Sequence, residues 1–415
     1  MELKKSERLK SVNYAIRGPV CDAAYKLEKA GEKILKLNIG NPAEFAFDTS
    51  DVIKNAIVKH INEAQAYSHS QGLLEARGAV KKYNAAKGIK GITEDDIFIG
   101  NGASELITMA LQALINPGDE VLIPTPDYPL WTASVNLASG SPVHYICDEK
   151  SGWNPDIADL RKKVTKRTKA VVIINPNNPT GSVYKKEVIE EIIEICRQNK
   201  LVLFSDEIYD RIVYDNKTHI SPAALADDIL VINFNGLSKV FRACGFRLGW
   251  MVLNGDKKRA SDFVDGLKVL SSMRLCSNVL AQVALKAAID HDDSIKALVA
   301  PGGRLREQRD LAWKLLNDIP GVSCVKAEGS LYMFPKVDIN KFGIKDDVKF
   351  ILDVLNAKKI LFVEGTGFNW INPDHFRIVF LPKVKELEYA ITQLGDFLAN
   401  YKQVGLQLSH VSMSA

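Results

Sequence analysis

From about Asp96 the chain alternates short, unbroken apolar runs with longer amphipathic ones, and few architectures accommodate that rhythm. DIFIG is followed by ASELITMALQALI. DEVLIPTP leads into the stretch from Tyr128. AVVIINP precedes KKEVIEEIIEICRQ, and then come LVLFSDEIY, ILVINFN and RLGWMVLN. A strand apolar on every residue must be covered on both faces, which suits a sheet sandwiched between helices. The alternation therefore predicts an α/β fold around a mostly parallel sheet. In such sheets ligands sit at the carboxyl ends of the strands, so residues there are the first candidates for function.

At 415 residues the chain exceeds one ordinary core, and two domains are expected. A polar lead runs to about residue 36, followed by the apolar Ile34–Ile39 and the turn-rich GNPAEF at Gly40–Phe45. A long helical pattern spans about Lys257 to Asp290. After Pro301-Gly302-Gly303 a further helix leads to VSCVKA, SLYMFPKV, ILFVEG and HFRIVFL, which read as a smaller α+β unit. The expected division is an arm at 1–45 that joins the small domain, a large domain at 46–290, a small domain at 291–403 and a frayed tail at 404–415.

Lys and Arg exceed Asp and Glu by 54 to 50, without a block of like charge that would suggest nucleic-acid binding. Six scattered cysteines and no CxxC pair suggest reduced thiols and a cytoplasmic setting. Seven histidines show no metal-binding spacing, so no metal is expected. MELKKSERLK lacks an apolar h-region, and no apolar run is long enough to span a membrane.

Four segments carry chemistry. Asp206 closes LVLFSDEIY, and an acid there is costly to bury unless a cation meets it; a helix cap or a buried ion pair is the plainer alternative. Tyr209 lies three residues on. Lys239, in GLSKVFRACGFR, follows another apolar strand, with Ser238 before it and Arg247 eight residues later. A partly desolvated lysine reaches its amine form more easily, the condition for imine chemistry, although a surface lysine fits the same pattern. Asn178 stands in NPNNPTG, a stiff Pro/Gly turn after AVVII. Gly100-Asn101-Gly102-Ala103-Ser104 joins a strand to a helix, where backbone N–H groups and the Ser104 hydroxyl could meet an anion, or Ser104 could be a simple cap.

NNPTG, SDEIY and LSK with arginine eight residues on, in that order, resemble the class I aminotransferases of the pyridoxal-phosphate (PLP) fold type I. The likeness covers about residues 10 to 400. It is closer still to the alanine (glutamate–pyruvate) aminotransferases through YAIRGPV, LNIGNPAEF, PDYPLW, GFRLGWMVLNG and PGGRLREQR. The resemblance implies a large PLP-binding domain with a mostly parallel sheet flanked by helices, plus a smaller α+β domain. It implies pyridoxal 5′-phosphate held by Lys239 as an imine, Asp206 against the pyridine nitrogen, and Tyr209 and Asn178 on the ring's 3-oxygen. Ala103, Ser104, Ser238 and Arg247 would hold the phosphate and Tyr128 would stack on the ring. Arg377, in HFRIVFL, would grip the substrate α-carboxylate with Asn178 and the Gly40 backbone. Tyr67, in AYSHSQG, would reach the phosphate of a neighbouring subunit, implying a homodimer with shared sites.

The implied reaction is reversible amino transfer between L-alanine and 2-oxoglutarate, giving pyruvate and L-glutamate. Arg17, with Tyr14 nearby, is the candidate for glutamate's distal carboxylate, while a hinge or interface role for Arg17 stays open. Transamination of aromatic, branched-chain or succinylated amino acids is an alternative, as is C–S lysis on the same cofactor. A transcriptional regulator with a related sensor domain is disfavoured, because only about 37 residues precede LNIG.

Overall fold

The computed structural model describes residues 3–12, 14 and 18–403. Its centre is an eight-stranded sheet, and naming the strands in chain order begins outside it, with β1 (Leu35–Lys36). The sheet itself comprises β2 (Ile97–Gly100), β3 (Glu120–Thr125), β4 (Ser141–Asp148), β5 (Asn154–Pro155), β6 (Thr168–Ile174), β7 (Val202–Asp206), β8 (Val231–Gly236) and β9 (Gly249–Asn254). Their spatial order is β2-β9-β8-β7-β6-β3-β4-β5. The pairings β4–β3, β3–β6, β6–β7 and β7–β8 are parallel, whereas β9 runs against both β8 and β2, and β5 against β4. The sheet is thus mixed around a parallel centre, with β2 pointing the same way as β8.

The unbroken apolar runs have a direct packing cause. Alternate residues Phe98, Val121, Ile123, Val172, Phe204, Ile232 and Met251 enter one buried cluster. Their neighbours Ile97, Leu122, Val171, Leu203, Val231 and Trp250 enter another on the opposite face. With a period of two and both faces dry, apolar residues fill most strand positions, and a polar exception such as Asn233 in β8 is hydrogen-bonded, to Glu207 and Ser221. Helices Ala103–Leu114, Leu130–Leu137 and Ser261–Met273 cover the first face, and Lys186–Asn199 contributes to the second.

The C-terminal part carries β10 (Val322–Ser323), β11 (Tyr332–Met333), β12 (Lys336–Val337), β13 (Ile360–Leu361), β14 (Val363–Glu364) and β15 (Phe376–Val379). β15 lies between β11 and β14, antiparallel to both, and β10 pairs with β12. β1 pairs in parallel with β13, and Val379 N–H donates to Leu37 O at 2.9 Å, so residues 35–38 are built into this region.

One local expectation differs from the structure. The helical pattern from Lys257 to Asp290 is broken into Ser261–Met273, Val279–Gln282 and Leu285–His291. Leu275 adopts φ +69° at the first break, ahead of the Cys276-Ser277-Asn278 turn. The stretch from Tyr128, left undivided in the sequence reading, also contains the strand β4. It lies near the sheet edge, where Tyr145 and Cys147 are buried while Pro142, His144 and Ile146 are partly exposed.

Candidate active site

The carboxyl ends of β2, β3, β6, β7 and β8 open into one cavity of about 720 Å³. Twelve of the residues singled out from sequence line it: Tyr14, Gly40, Ala103, Ser104, Tyr128, Asn178, Asp206, Tyr209, Ser238, Lys239, Arg247 and Arg377. Tyr67 does not; its ring is 80 % exposed on this chain. Arg17 lies outside the described residues.

Asp206 is the last residue of β7 and 4 % exposed. Its Oδ2 accepts the Trp131 indole N–H at 3.2 Å and its Oδ1 the Ile208 backbone N–H at 3.3 Å. Among the described residues it has no cationic partner, and burial pushes its pKa up to about 6. The adjoining acids do have one. Lys87 donates to Glu207 and, at 2.9 Å, to Asp210. Tyr83 O–H also bonds Asp210, and Ser221 and Asn233 bond Glu207. Glu207, Asp210 and His219 stand close enough together to resemble a metal-ligand group, but the Lys87 ammonium already occupies the role of the cation. This network anchors the turn that carries Asp206 and Tyr209.

Lys239 follows β8 by three residues, and its Nζ donates to Gly40 O at 2.6 Å. The Gly40 Cα sits against Tyr332, whose hydroxyl would lie 2.2 Å from an added Cβ. In NPNNPTG the amides divide the work. Asn175 Oδ1 accepts Tyr184 N–H and Asn177 Oδ1 accepts Thr180 N–H and O–H, fixing the turn. Asn178 is left for the cavity, where its Oδ1 accepts from Arg377 Nη1 at 3.0 Å.

The β2–helix turn forms an anion cradle. Helix Ala103–Leu114 begins at Gly102 without a side-chain cap, and Ser104 lies inside the helix, so the capping alternative is not realised. The first N–H groups are left to the cavity. Gly102 has φ +86°, and a Cβ there would fall 2.3 Å from Arg247 Nη2. Arg247 donates only to the carbonyls of Cys244 and Asn101, so among the described residues its charge has no carboxylate partner. Glu105 holds the turn by accepting from Asn101 and from Arg274.

Arg377, on β15, is 2 % exposed. Nη2 donates to Asn38 O, while Nε has no partner among the described residues. The rings of Tyr332 and Phe368 each lie 4.5 Å from its Cζ. Burial lowers its pKa from the usual arginine value. Tyr209 O–H donates to Tyr332 at 3.0 Å, and the Tyr14 and Tyr128 hydroxyls meet at 3.0 Å. Burial raises the phenols of Tyr128 and Tyr209 well above their ordinary range. Asp127, held by Asn369 and Thr132 at 2.7 Å each, fixes the turn that presents Tyr128.

Sequence reading missed Trp131, Tyr332, Asn38 and Phe368. Trp131 carried a signal, since it follows Tyr128 by three residues on a helical stretch. The other three reach the site only through long-range packing.

The arrangement offers an uncompensated carboxylate, an amine, an anion cradle and a buried guanidinium with a spare donor, around one cavity. Comparison with known proteins agrees with it. The family model for "Aminotransferase class I and II" matches residues 32–394. The chain is 56 % identical over 402 residues to glutamate-pyruvate aminotransferase AlaA of Escherichia coli (strain K12), covering 97 % of this chain and 99 % of that one. It is 54 % identical over 400 residues to an alanine aminotransferase of Mycobacterium tuberculosis (strain H37Rv), with 96 % and 93 % coverage. The crystal structure of an aminotransferase from Escherichia coli superposes with a TM-score of 0.96 at 55 % identity, covering 97 % of this chain and all of that one. The chain belongs to the class I and II aminotransferase family.

Proposed function

We propose that this aminotransferase exchanges an amino group between L-alanine and 2-oxoglutarate, giving pyruvate and L-glutamate, with pyridoxal 5′-phosphate as cofactor. One observation carries the reading. Asp206 and Arg377, both buried and of opposite sign, stand in one cavity without an ionic partner among the described residues. Buried charges of that kind call for a ligand that brings both complements. A protonated heterocycle answers Asp206, and an α-carboxylate answers Arg377. The names of the relatives, glutamate-pyruvate and alanine aminotransferase, support the substrate pair.

The residues fit the cofactor. Ala103 and Ser104 at the helix start, with Ser238 and Arg247, would hold its phosphate through the helix N–H groups, hydroxyls and a guanidinium fork. Tyr128 would stack on the ring, and Tyr209 with Asn178 would bond its 3-oxygen. When bound, pyridoxal phosphate supplies an aldehyde carbon for the amine and a ring that accepts electrons. Asp206 would keep the ring nitrogen protonated. Lys239 would hold the cofactor through its amine and, when free, would move the proton at the substrate Cα. Arg377 orients that Cα through two parallel bonds to the carboxylate, aided by Asn178 and the Gly40 backbone. Because the nitrogen stays with the enzyme between two substrates, ping-pong kinetics follow.

The same reading places Tyr67 at the phosphate of a neighbouring subunit in a homodimer, and its exposure on the single chain supports that. It divides the chain into an arm (1–45), a large domain (46–290) and a small domain (291–403), and the β1–β13 pairing supports assigning the arm to the small domain. A cytoplasmic setting belongs to this reading too; among the described residues no helix is long and apolar enough to cross a membrane.

The test adds amino acids singly to the holoenzyme and follows its visible band. Loss of the band with alanine and with glutamate, but not with tyrosine or leucine, is expected. Bleaching by tyrosine instead would move the substrate class, and pyruvate release from a sulfur amino acid without an acceptor would indicate lysis. Arg17→Ala should raise KM for glutamate and 2-oxoglutarate more than for alanine; equal effects would remove Arg17 from substrate recognition.

A further inference from the structure

Tyr332 is absent from the roles assigned above, yet it touches three of the groups that carry them. Its ring lies 4.5 Å from the Arg377 guanidinium carbon, a cation–π distance. Its hydroxyl accepts from Tyr209 at 3.0 Å, and the two rings meet edge to face with centroids 5.8 Å apart. The same hydroxyl presses on the bare Cα of Gly40, whose carbonyl holds Lys239. β11 fixes this position, because Tyr332 pairs with Val379 two residues beyond Arg377 on β15. The side chain is 3 % exposed, which shields these contacts from bulk solvent.

We propose that Tyr332 is a positioning residue that couples the Arg377 carboxylate clamp to the Tyr209 phenol. The proposal rests on the cofactor reading given above and deepens it. With Arg377 free, its positive charge acts on the Tyr332 ring and on Tyr209. A carboxylate bound at Arg377 neutralises that charge. The change then passes along the Tyr332 ring to its hydroxyl and to Tyr209. If Tyr209 turns its proton toward the ring oxygen, its lone pair can accept from Tyr332, so the pair stays bonded in either direction. Both neighbours act on the Tyr209 phenol: burial raises it most, Tyr332 adds to that rise, and Arg377 draws it down. Substrate occupancy is thereby felt at the cofactor's oxygen before any bond changes.

The experiment uses holoenzyme and propionate, a carboxylate without an amino group. The pH midpoint of the visible band is measured with and without propionate, for the wild type, Tyr332→Phe, Tyr209→Phe and the double variant. In Tyr332→Phe, which keeps the ring on Arg377, propionate should bind within threefold of wild type. The midpoint shift it induces should shrink by at least half. In the Tyr209→Phe background, adding Tyr332→Phe should change nothing further. An unchanged shift in Tyr332→Phe overturns the proposal, as does an equal loss in both backgrounds. If Tyr332→Phe fails to fold, Gly40→Ala, which displaces the Tyr332 hydroxyl, must shrink the shift in its place. Failure of the cofactor reading looks different: the wild type itself would take up no pyridoxal phosphate and show no band.

Discussion

Glu364 ends β14 with 1 % exposure, and among the described residues no other residue donates a hydrogen bond to its carboxylate. Burial, with a smaller push from Asp347, raises its pKa to about 7. The unfolded chain releases this proton near the ordinary value of 4.5, whereas the folded chain holds it to about 7. The native state is therefore unpenalised below the lower value and loses stability as pH rises through the higher one. At about 1.36 kcal/mol per tenfold, the full loss is about 3 kcal/mol by pH 8 and under about 1 kcal/mol at pH 5. Glu364→Gln keeps the shape and removes the ionisation. Urea unfolding at pH 5 and pH 8 should show the variant gaining about 2–3 kcal/mol on the wild type between the two pH values. A constant offset from the amide would appear at both and cancels in the comparison. A gap that does not change with pH would refute the reasoning, and so would one that narrows as pH rises.

Asp206→Asn should retain the phosphate cradle but lower turnover by about 100-fold or more, because the charge facing the heterocycle is gone; single-turnover rates check it. In the wild type, cofactor uptake should weaken below about pH 6, where Asp206 takes a proton and offers no anion. Arg247→Ala should weaken cofactor retention about 10- to 100-fold, the worth of a charge-assisted hydrogen bond of about 1.5–3 kcal/mol, as read by dialysis and absorbance. Gly40→Ala should cost about 1–3 kcal/mol of stability through its contact with Tyr332, measured by denaturant unfolding, and an unchanged midpoint would contradict so close an approach of the two residues.

The strands of the sheet were legible because both faces are buried and apolar residues dominate them; Asp206, Asn178 and Lys239 stood out as polar residues at or shortly after the ends of such runs. The phosphate cradle was legible for a related reason, since Gly102 is followed directly by a helix. β4 was hidden because Pro142 and His144 face partly exposed positions, so its alternation carries only half a signal. The breaks in 257–290 were hidden because Leu275 accepts a left-handed backbone that its side chain does not advertise. Tyr332, Asn38 and Phe368 act on Arg377 across gaps that no local spacing encodes. Asn38 lies 339 positions from its partner.

That separation orders events during synthesis. The anion cradle, the acid and the amine all precede residue 250 and can gather as soon as their sheet closes. The guanidinium waits for nearly the whole polypeptide, and it docks on the Asn38 carbonyl of a segment that left the ribosome among the first. On the proposed reading, a nascent chain halted short of β15 would own a place for a phosphate and no means of seizing an amino acid, which makes recognition of the substrate the last competence the molecule acquires.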